Sequence, residues 1–169
     1  MGQKVVPVLS RQIAISKGQN KPMSADHALK ITLPIEGYLQ AVRRKGFEAT
    51  QAYHVMEYFV ITAEACFYTI PVTRDESKSL VEERAKQMLG AAQEALKVFE
   101  RVKAGGSGAC SLKTLDVLDE AFGVSANLHE VLPQWAFMKA MRKVELGRMQ
   151  HRRRKQAIHN RNRKLRRRK

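Results

Sequence analysis

Cysteine is scarce in this sequence, which holds only Cys66 and Cys110. The two thiols lie far apart, form no C-x-x-C pair and have no paired histidines beside them, which argues against a metal site and a disulfide scaffold. Cys66 falls in the most apolar stretch of the chain, where a small buried side chain is the usual role of cysteine. We therefore expect no metal and no cofactor.

Long apolar runs are also missing, because Glu57 and Glu64 interrupt the most hydrophobic segment. No stretch reaches the roughly 18 uninterrupted apolar residues that are typical of a membrane-spanning helix. The start of the chain has no secretory signal pattern. These features predict a soluble protein of the reducing cytoplasm, with no membrane partner.

The sequence contains no convergent set of catalytic side chains. The glycine-rich stretch 105–108 lacks the Gly-Lys-Ser/Thr of a phosphate-binding loop, so we interpret it as a flexible linker. His54, Glu57 and Glu64 share one stripe of a helix, but the paired Glu-x-x-His motifs of a di-iron bundle are absent. We interpret that stripe as a solvated edge or a buried hydrogen bond, and we predict that the protein is not an enzyme.

Charge is abundant and unevenly placed. The net charge is +15, yet residues 31–149 carry fifteen basic and fifteen acidic side chains. Residues 150–169 carry eleven Lys and Arg with no Asp or Glu, and residues 1–30 carry five with a single Asp. A neutral core with cationic ends places the attraction for polyanions on the extensions.

Hydrophobic spacing predicts an all-α fold, a compact helical bundle of about five helices over residues 32–149. The first helix is expected to begin at Thr32–Pro34, because proline suits the first helical turn. The bundle is expected to lie between a flexible basic N-terminal arm, 1–31, and a basic C-terminal tail, 150–169.

The second helix, over 50–70, has apolar residues on most of its sides, which predicts the bundle centre. The third is expected to open with a capping box over 73–76 and to carry an alanine-rich seam between residues 81 and 99. That seam can close against its own bundle or pair two chains, so a homo-oligomer is left open. Gly123 is expected to end the fourth helix, and the fifth to follow Ser125.

Residues 115–125 resemble the middle of a helix-turn-helix, in which Gly123 makes the turn. The helix that would read DNA offers Glu130 but no Arg or Lys, so we favour two core helices joined by a glycine-capped turn. The last helix is expected to bury Met138 and Met141 with its other apolar residues.

The basic tail is the predicted functional site. Arginine outnumbers lysine eight to three in 150–169, and guanidinium groups bind phosphates bidentately and stack on bases. We expect the tail to be disordered until a polyanion neutralises it, and then to become a helix that continues the last core helix. The predicted nucleic-acid-binding residues are Arg148, Arg152, Arg153, Arg154, Lys155, Arg161, Arg163, Lys164, Arg166, Arg167, Arg168 and Lys169.

Two other interpretations of the tail compete with this one. The first is a solvated tail with no defined target. The second is an anchor at a membrane surface, for which the tail has too few apolar residues. DNA and RNA fit the charge nearly equally well.

The core resembles a loose set of small helical proteins encoded by phages and integrated elements of proteobacteria. The resemblance spans residues 28–148 and is carried by the stretches 28–34 (ALKITLP), 92–101 (AQEALKVFER) and 115–148. It implies a bacterial or phage cytoplasmic protein with no known active site. The tail beyond Met149 departs from that pattern.

The sequence thus predicts a non-enzymatic accessory protein that binds nucleic acid, DNA or RNA, through its arginine-rich tail. The alternative is an adaptor or inhibitor whose bundle binds a host or phage protein, with the tail secondary. A structural component packaged with a genome is a third, weaker hypothesis.

Overall fold

The computed structural model describes the backbone of residues 21–166 and the side chains of residues 21–160. This part of the chain forms five α-helices and no strand, which confirms the predicted all-α bundle. A single 3-10 turn, Ile70–Val72, joins the second and third helices. The helices are α1 Ala25–Lys45, α2 Ala49–Thr69, α3 Asp75–Lys103, α4 Leu112–Val131 and α5 Gln134–Arg166.

Helix α2 is the centre of the bundle, as its sequence predicts. It packs most extensively against α3 and next against α5. The alanine-rich seam of α3 is buried against the same bundle, with Ala85, Met88 and Ala95 fully covered. Small side chains allow the backbones of two helices to approach closely, so the seam is used within one chain.

The segment Ala49–Val72 is long and apolar enough to cross a membrane, by length and composition alone. Half of its most apolar window is buried inside the bundle. This segment packs against α3 and α5 and forms the core helix of the bundle.

The first helix begins earlier than predicted, at Ala25 rather than at Thr32. Ser24 caps it, accepting a hydrogen bond from the His27 N–H, and Pro34 lies inside the helix. The chain just before it is also held, since the carbonyl of Lys21 accepts a hydrogen bond of 2.9 Å from the Gln134 N–H. The boundary of the predicted arm at residue 31 is therefore wrong. Residues 1–20 lie outside the described part of the chain.

Two other predicted helix ends are wrong. Thr73 does not cap α3, because its hydroxyl donates to the Thr69 carbonyl at 2.9 Å and the cap position is Arg74. Helix α4 runs without interruption through Gly123 and ends before Pro133. A continuous helix contains no turn at Gly123, so the helix-turn-helix hypothesis and the glycine-capped turn are both overturned.

The buried face of α5 also differs from the prediction. Ala136, Phe137 and Ala140 are buried, whereas Met138 and Met141 are exposed. The two alanines let α5 lie close to the core, and the longer methionines occupy the opposite face. The periodicity was compatible with both faces, and close packing selects the one with small residues.

The glycine-rich loop, predicted to be flexible, packs against the end of α1. The carbonyl of Gly108 accepts a hydrogen bond of 2.9 Å from the Phe47 N–H. A Cβ on Gly108 would lie 1.9 Å from the Phe47 carbonyl oxygen, so only glycine fits there. Arg101 also donates to the Ser107 carbonyl at 2.7 Å. The loop is therefore held in place by hydrogen bonds to Phe47 and Arg101.

Candidate nucleic-acid interface

Helix α5 is the longest in the described chain, with 33 residues. At 1.5 Å per residue it extends roughly 50 Å, well beyond the depth of a small bundle. Residues 151 to 160 of this helix are all exposed. Residues 150–166 of the tail are thus helical, where disorder was predicted. The bundle-bound half supplies the nucleus, so that each further residue only propagates an existing helix.

The four consecutive cations Arg152 to Lys155 open this exposed part of α5. Successive helical residues are about 100° apart, so four in a row present positive charge around the whole circumference. None of them forms an ion pair with a carboxylate in the described structure. The last acidic residue of the chain is Glu145, so no neighbouring carboxylate along the helix neutralises these cations.

Arg148 has a different environment from the other predicted binding residues. Its guanidinium forms an ion pair with Glu57 of α2 and lies 5.7 Å from the centre of the Tyr53 ring. Glu57 is only 8% exposed. Arg148 therefore fixes α5 to α2, and its guanidinium is engaged within the bundle.

Two further contacts anchor α5 before its exposed part begins. Lys143 donates to Glu64 at 2.7 Å, and the ammonium of Lys139 lies 4.4 Å from the centre of the Tyr68 ring. The pairing with Glu64 raises the pKa of Lys143. The two acids of the α2 stripe, Glu57 and Glu64, are thus paired with cations of α5. The stripe is the surface that holds α5, and sequence spacing alone did not name its partner.

The remaining predicted residues lie at or beyond the limit of the description. The backbone of Arg161, Arg163, Lys164 and Arg166 continues α5, and their side chains are outside the described part. Arg167 to Lys169 lie outside it altogether. The predicted cations from Arg152 to Arg166 therefore all lie on one continuous helix, here called the α5 rod (residues 152–166).

Sequence reasoning missed a pair of aromatic rings at the base of the rod. Tyr53 of α2 and Phe99 of α3 are half-buried, with ring centres 5.6 Å apart. Each ring contacts a cation, Tyr53 through Arg148 and Phe99 through Lys103 at 5.6 Å. Aromatic rings beside cations are the elements on which unpaired bases stack. The signal in the sequence was hidden because the rings belong to different helices.

A groove of about 270 Å³, here called the α2–α5 groove, opens next to Tyr53. One oxygen of Glu57, Oε1, is buried and has no hydrogen-bond partner among residues 21–160. The groove is lined by Tyr53, Met56, Glu57 and Val60 of α2 and by Val144, Gly147, Arg148 and His151 of α5.

Buried titratable groups elsewhere are held in their neutral forms. Burial lowers the pKa of His129 to about 4 and raises the pKa of the Cys66 thiol to about 12. Among residues 21–160 no group of three or more His, Cys, Asp or Glu side chains could hold a metal ion.

No protein family, curated protein or solved structure matches this chain. The resemblance to small helical proteins of phages and integrated elements therefore stays a prediction.

Proposed function

We propose that this protein is a non-enzymatic, cytoplasmic accessory factor that binds nucleic acid through the cationic part of α5, the α5 rod, residues 152–166. The observation that carries the proposal is the exposed run Arg152 to Lys155, which has no carboxylate partner in the described structure. DNA and RNA both remain candidates, because phosphate is common to them.

The rod suits a polyanion for electrostatic reasons. Its charges surround a helix, so phosphates on both sides of a groove or along a single strand can be bound at once. If about six phosphates are neutralised, counterion release makes the affinity fall with salt at a log–log slope of roughly −5. The anchored half of α5 fixes the direction in which the rod leaves the bundle.

A variant with four substitutions, here called the fourfold Gln variant, tests the proposal. It changes Arg152, Arg153, Arg154 and Lys155 to Gln. We expect the slope of log affinity against log salt to become less negative by roughly 3 to 4 units, because about four phosphate contacts are lost. Binding is measured on a DNA duplex, a single-stranded DNA and an RNA hairpin by fluorescence anisotropy.

A matched control removes the same charge from exposed positions of the bundle, with Arg44, Lys45, Lys86 and Lys113 changed to Gln. We expect its slope to stay close to that of the unchanged protein. Equal losses in the two variants would show that net charge alone attracts the polyanion, and the proposed role of the rod would be wrong.

A second candidate function is an adaptor that binds a protein through the bundle. It is favoured by the apolar side chains on the solvent face of α5, Met138, Met141 and Met149, of which Met138 is 51% exposed. A row of exposed methionines is typical of adaptable protein-binding surfaces. A pull-down with the full chain tests this function. Recovery of one protein partner would favour it if Met138→Glu abolishes the recovery and the fourfold Gln variant does not change it.

A further inference from the structure

A cavity of about 510 Å³, here called the α5-start cavity, opens where α5 leaves the preceding loop. Its volume falls in the range of roughly 300 to 1,000 Å³ that is typical of small-ligand sites. The chain before α1 supplies one lining residue and α5 supplies the other five: Lys21, Gln134, Trp135, Met138, Lys139 and Arg142. Three of the six are cations and none is acidic, so the cavity favours an anion.

The backbone holds the three cations at this cavity. The carbonyl of Lys21 accepts a hydrogen bond of 2.9 Å from the Gln134 N–H, which keeps Lys21 beside the start of α5. Lys139 and Arg142 are three residues apart on α5, a spacing that places two side chains on the same face of a helix. The positive charges therefore share the cavity because two segments of the chain are bonded together there.

The fold does not neutralise these charges. Neither Lys21 nor Arg142 forms an ion pair with a carboxylate of the described structure. The ammonium of Lys139 lies over the Tyr68 ring, 4.4 Å from its centre. Cations that surround one cavity repel each other, which costs free energy that the packing of the bundle does not require. A bound anion removes that repulsion.

The apolar part of the lining narrows the class of anion. Trp135 and Met138 form this part, and Met138 is 51% exposed. Beside apolar surface, water screens a charge less than it does on the α5 rod, so a compact anion of more than one charge gains most. A phosphate monoester carries about −1.5 to −2 at neutral pH and has three strong acceptor oxygens. A phosphate inside a nucleic-acid strand carries only about −1.

We propose that the α5-start cavity binds the terminal phosphate of a single strand of nucleic acid whose interior lies on the α5 rod. Arg142 and Arg152 are ten residues apart on one helix, which corresponds to about 15 Å. A flexible strand of a few nucleotides spans that distance. This inference rests on the proposed function and adds to it a site that recognises the end of the strand.

The experiment compares two short single strands of DNA on the full chain at one ionic strength. One strand has a phosphate at both ends. The other has hydroxyl groups at both ends and is lengthened until its total charge is the same, so that the attraction to the rod is matched. We expect the phosphorylated strand to bind about tenfold more tightly, the effect of one hydrogen bond between charged groups.

The cavity contains its own reporter, because Trp135 is the only tryptophan of the chain. We expect the phosphorylated strand to change the fluorescence of Trp135 in parallel with binding, and the hydroxyl-ended strand to leave it nearly unchanged. A free mononucleotide has the same monoester but no contact with the rod, so it should require at least about tenfold higher concentrations for the same change.

A double variant, Lys21→Gln with Arg142→Gln, is expected to abolish the preference for the phosphorylated strand. The hydrogen bond of Lys21 uses its backbone carbonyl, and Arg142 is exposed, so the melting temperature should stay unchanged. Its control, Arg44→Gln with Lys86→Gln, removes the same charge from exposed positions of α1 and α3 and should keep the preference. The fourfold Gln variant should weaken the binding of both strands and keep their ratio.

Equal affinity for the two strands in the unchanged protein would overturn the inference, as would a preference that survives the double variant. If the strands bind equally and the fourfold Gln variant weakens both, the proposed function stands and only the cavity assignment is wrong. If a mononucleotide or a phosphoserine peptide changes the fluorescence at as low a concentration as the strand, the assignment to a strand end is wrong. If no nucleic acid binds at all, both proposals fail.

Discussion

Arg148 and Arg152 lie one helical turn apart on α5 and have opposite roles. Arg148 is paired with a buried glutamate and fixes the helix to the bundle, whereas Arg152 is exposed. The sequence placed both in one basic cluster, because charge type and spacing do not reveal a partner on another helix. The acidic stripe on α2 was visible in the sequence, but its partner depends on how α5 lies across it.

At the same scale, His129 makes the stability of the bundle depend on pH. It is 1% exposed, and its ring contacts Phe137 edge-on with ring centres 4.6 Å apart. Burial lowers its pKa to about 4, while in the unfolded chain it is near 6.5. Between these values the unfolded chain binds the extra proton, so the free energy of unfolding falls as the pH decreases from about 6.5 to 4.

We expect this histidine to contribute a slope of up to about 1.4 kcal/mol per pH unit in that window. Urea unfolding at several pH values measures it. His129→Leu should flatten the profile there, and the exposed His54 provides a control through His54→Leu. A profile that keeps its full slope without His129 would contradict this account of the buried ring.

At the scale of helices, the sequence was accurate about the helical segments of the bundle core, but inaccurate about where they end and about the tail, which continues α5. Proline and glycine were read as boundaries, yet α1 continues through Pro34 and α4 through Gly123. Both residues are exposed, while the opposite face of each helix packs into the bundle. Local signals are weak against the burial of a whole helix face.

Two glycine substitutions test the continuous α4 and the packing of the glycine-rich loop. Gly123→Ala should stabilise the protein by about 0.5–1 kcal/mol, because the backbone is helical and a Cβ meets no atom within 4 Å. Gly108→Ala should destabilise it, since its Cβ would collide with the Phe47 carbonyl. Thermal unfolding measures both. Destabilisation by Gly123→Ala would indicate a turn at that position and restore the overturned interpretation.

At the scale of the whole molecule, the bundle and the separation of charge were predictable, because composition and periodicity encode both. The direction in which the cationic segment leaves the bundle could not be predicted from the sequence. It follows from the anchoring of α5 by Lys139, Lys143 and Arg148, three contacts whose partners all lie on α2. The groove beside Tyr53 was equally hidden, since its lining comes from two different helices.

The most direct test of the central claim is the salt dependence of nucleic-acid binding by the full chain and by a chain ending at Gln150. The shortened chain keeps every contact between α5 and α2 named above except the groove lining by His151. The account predicts a slope of roughly −5 for the full chain and one near zero for the shortened chain, with similar melting temperatures. Equal slopes for two equally folded chains would contradict it.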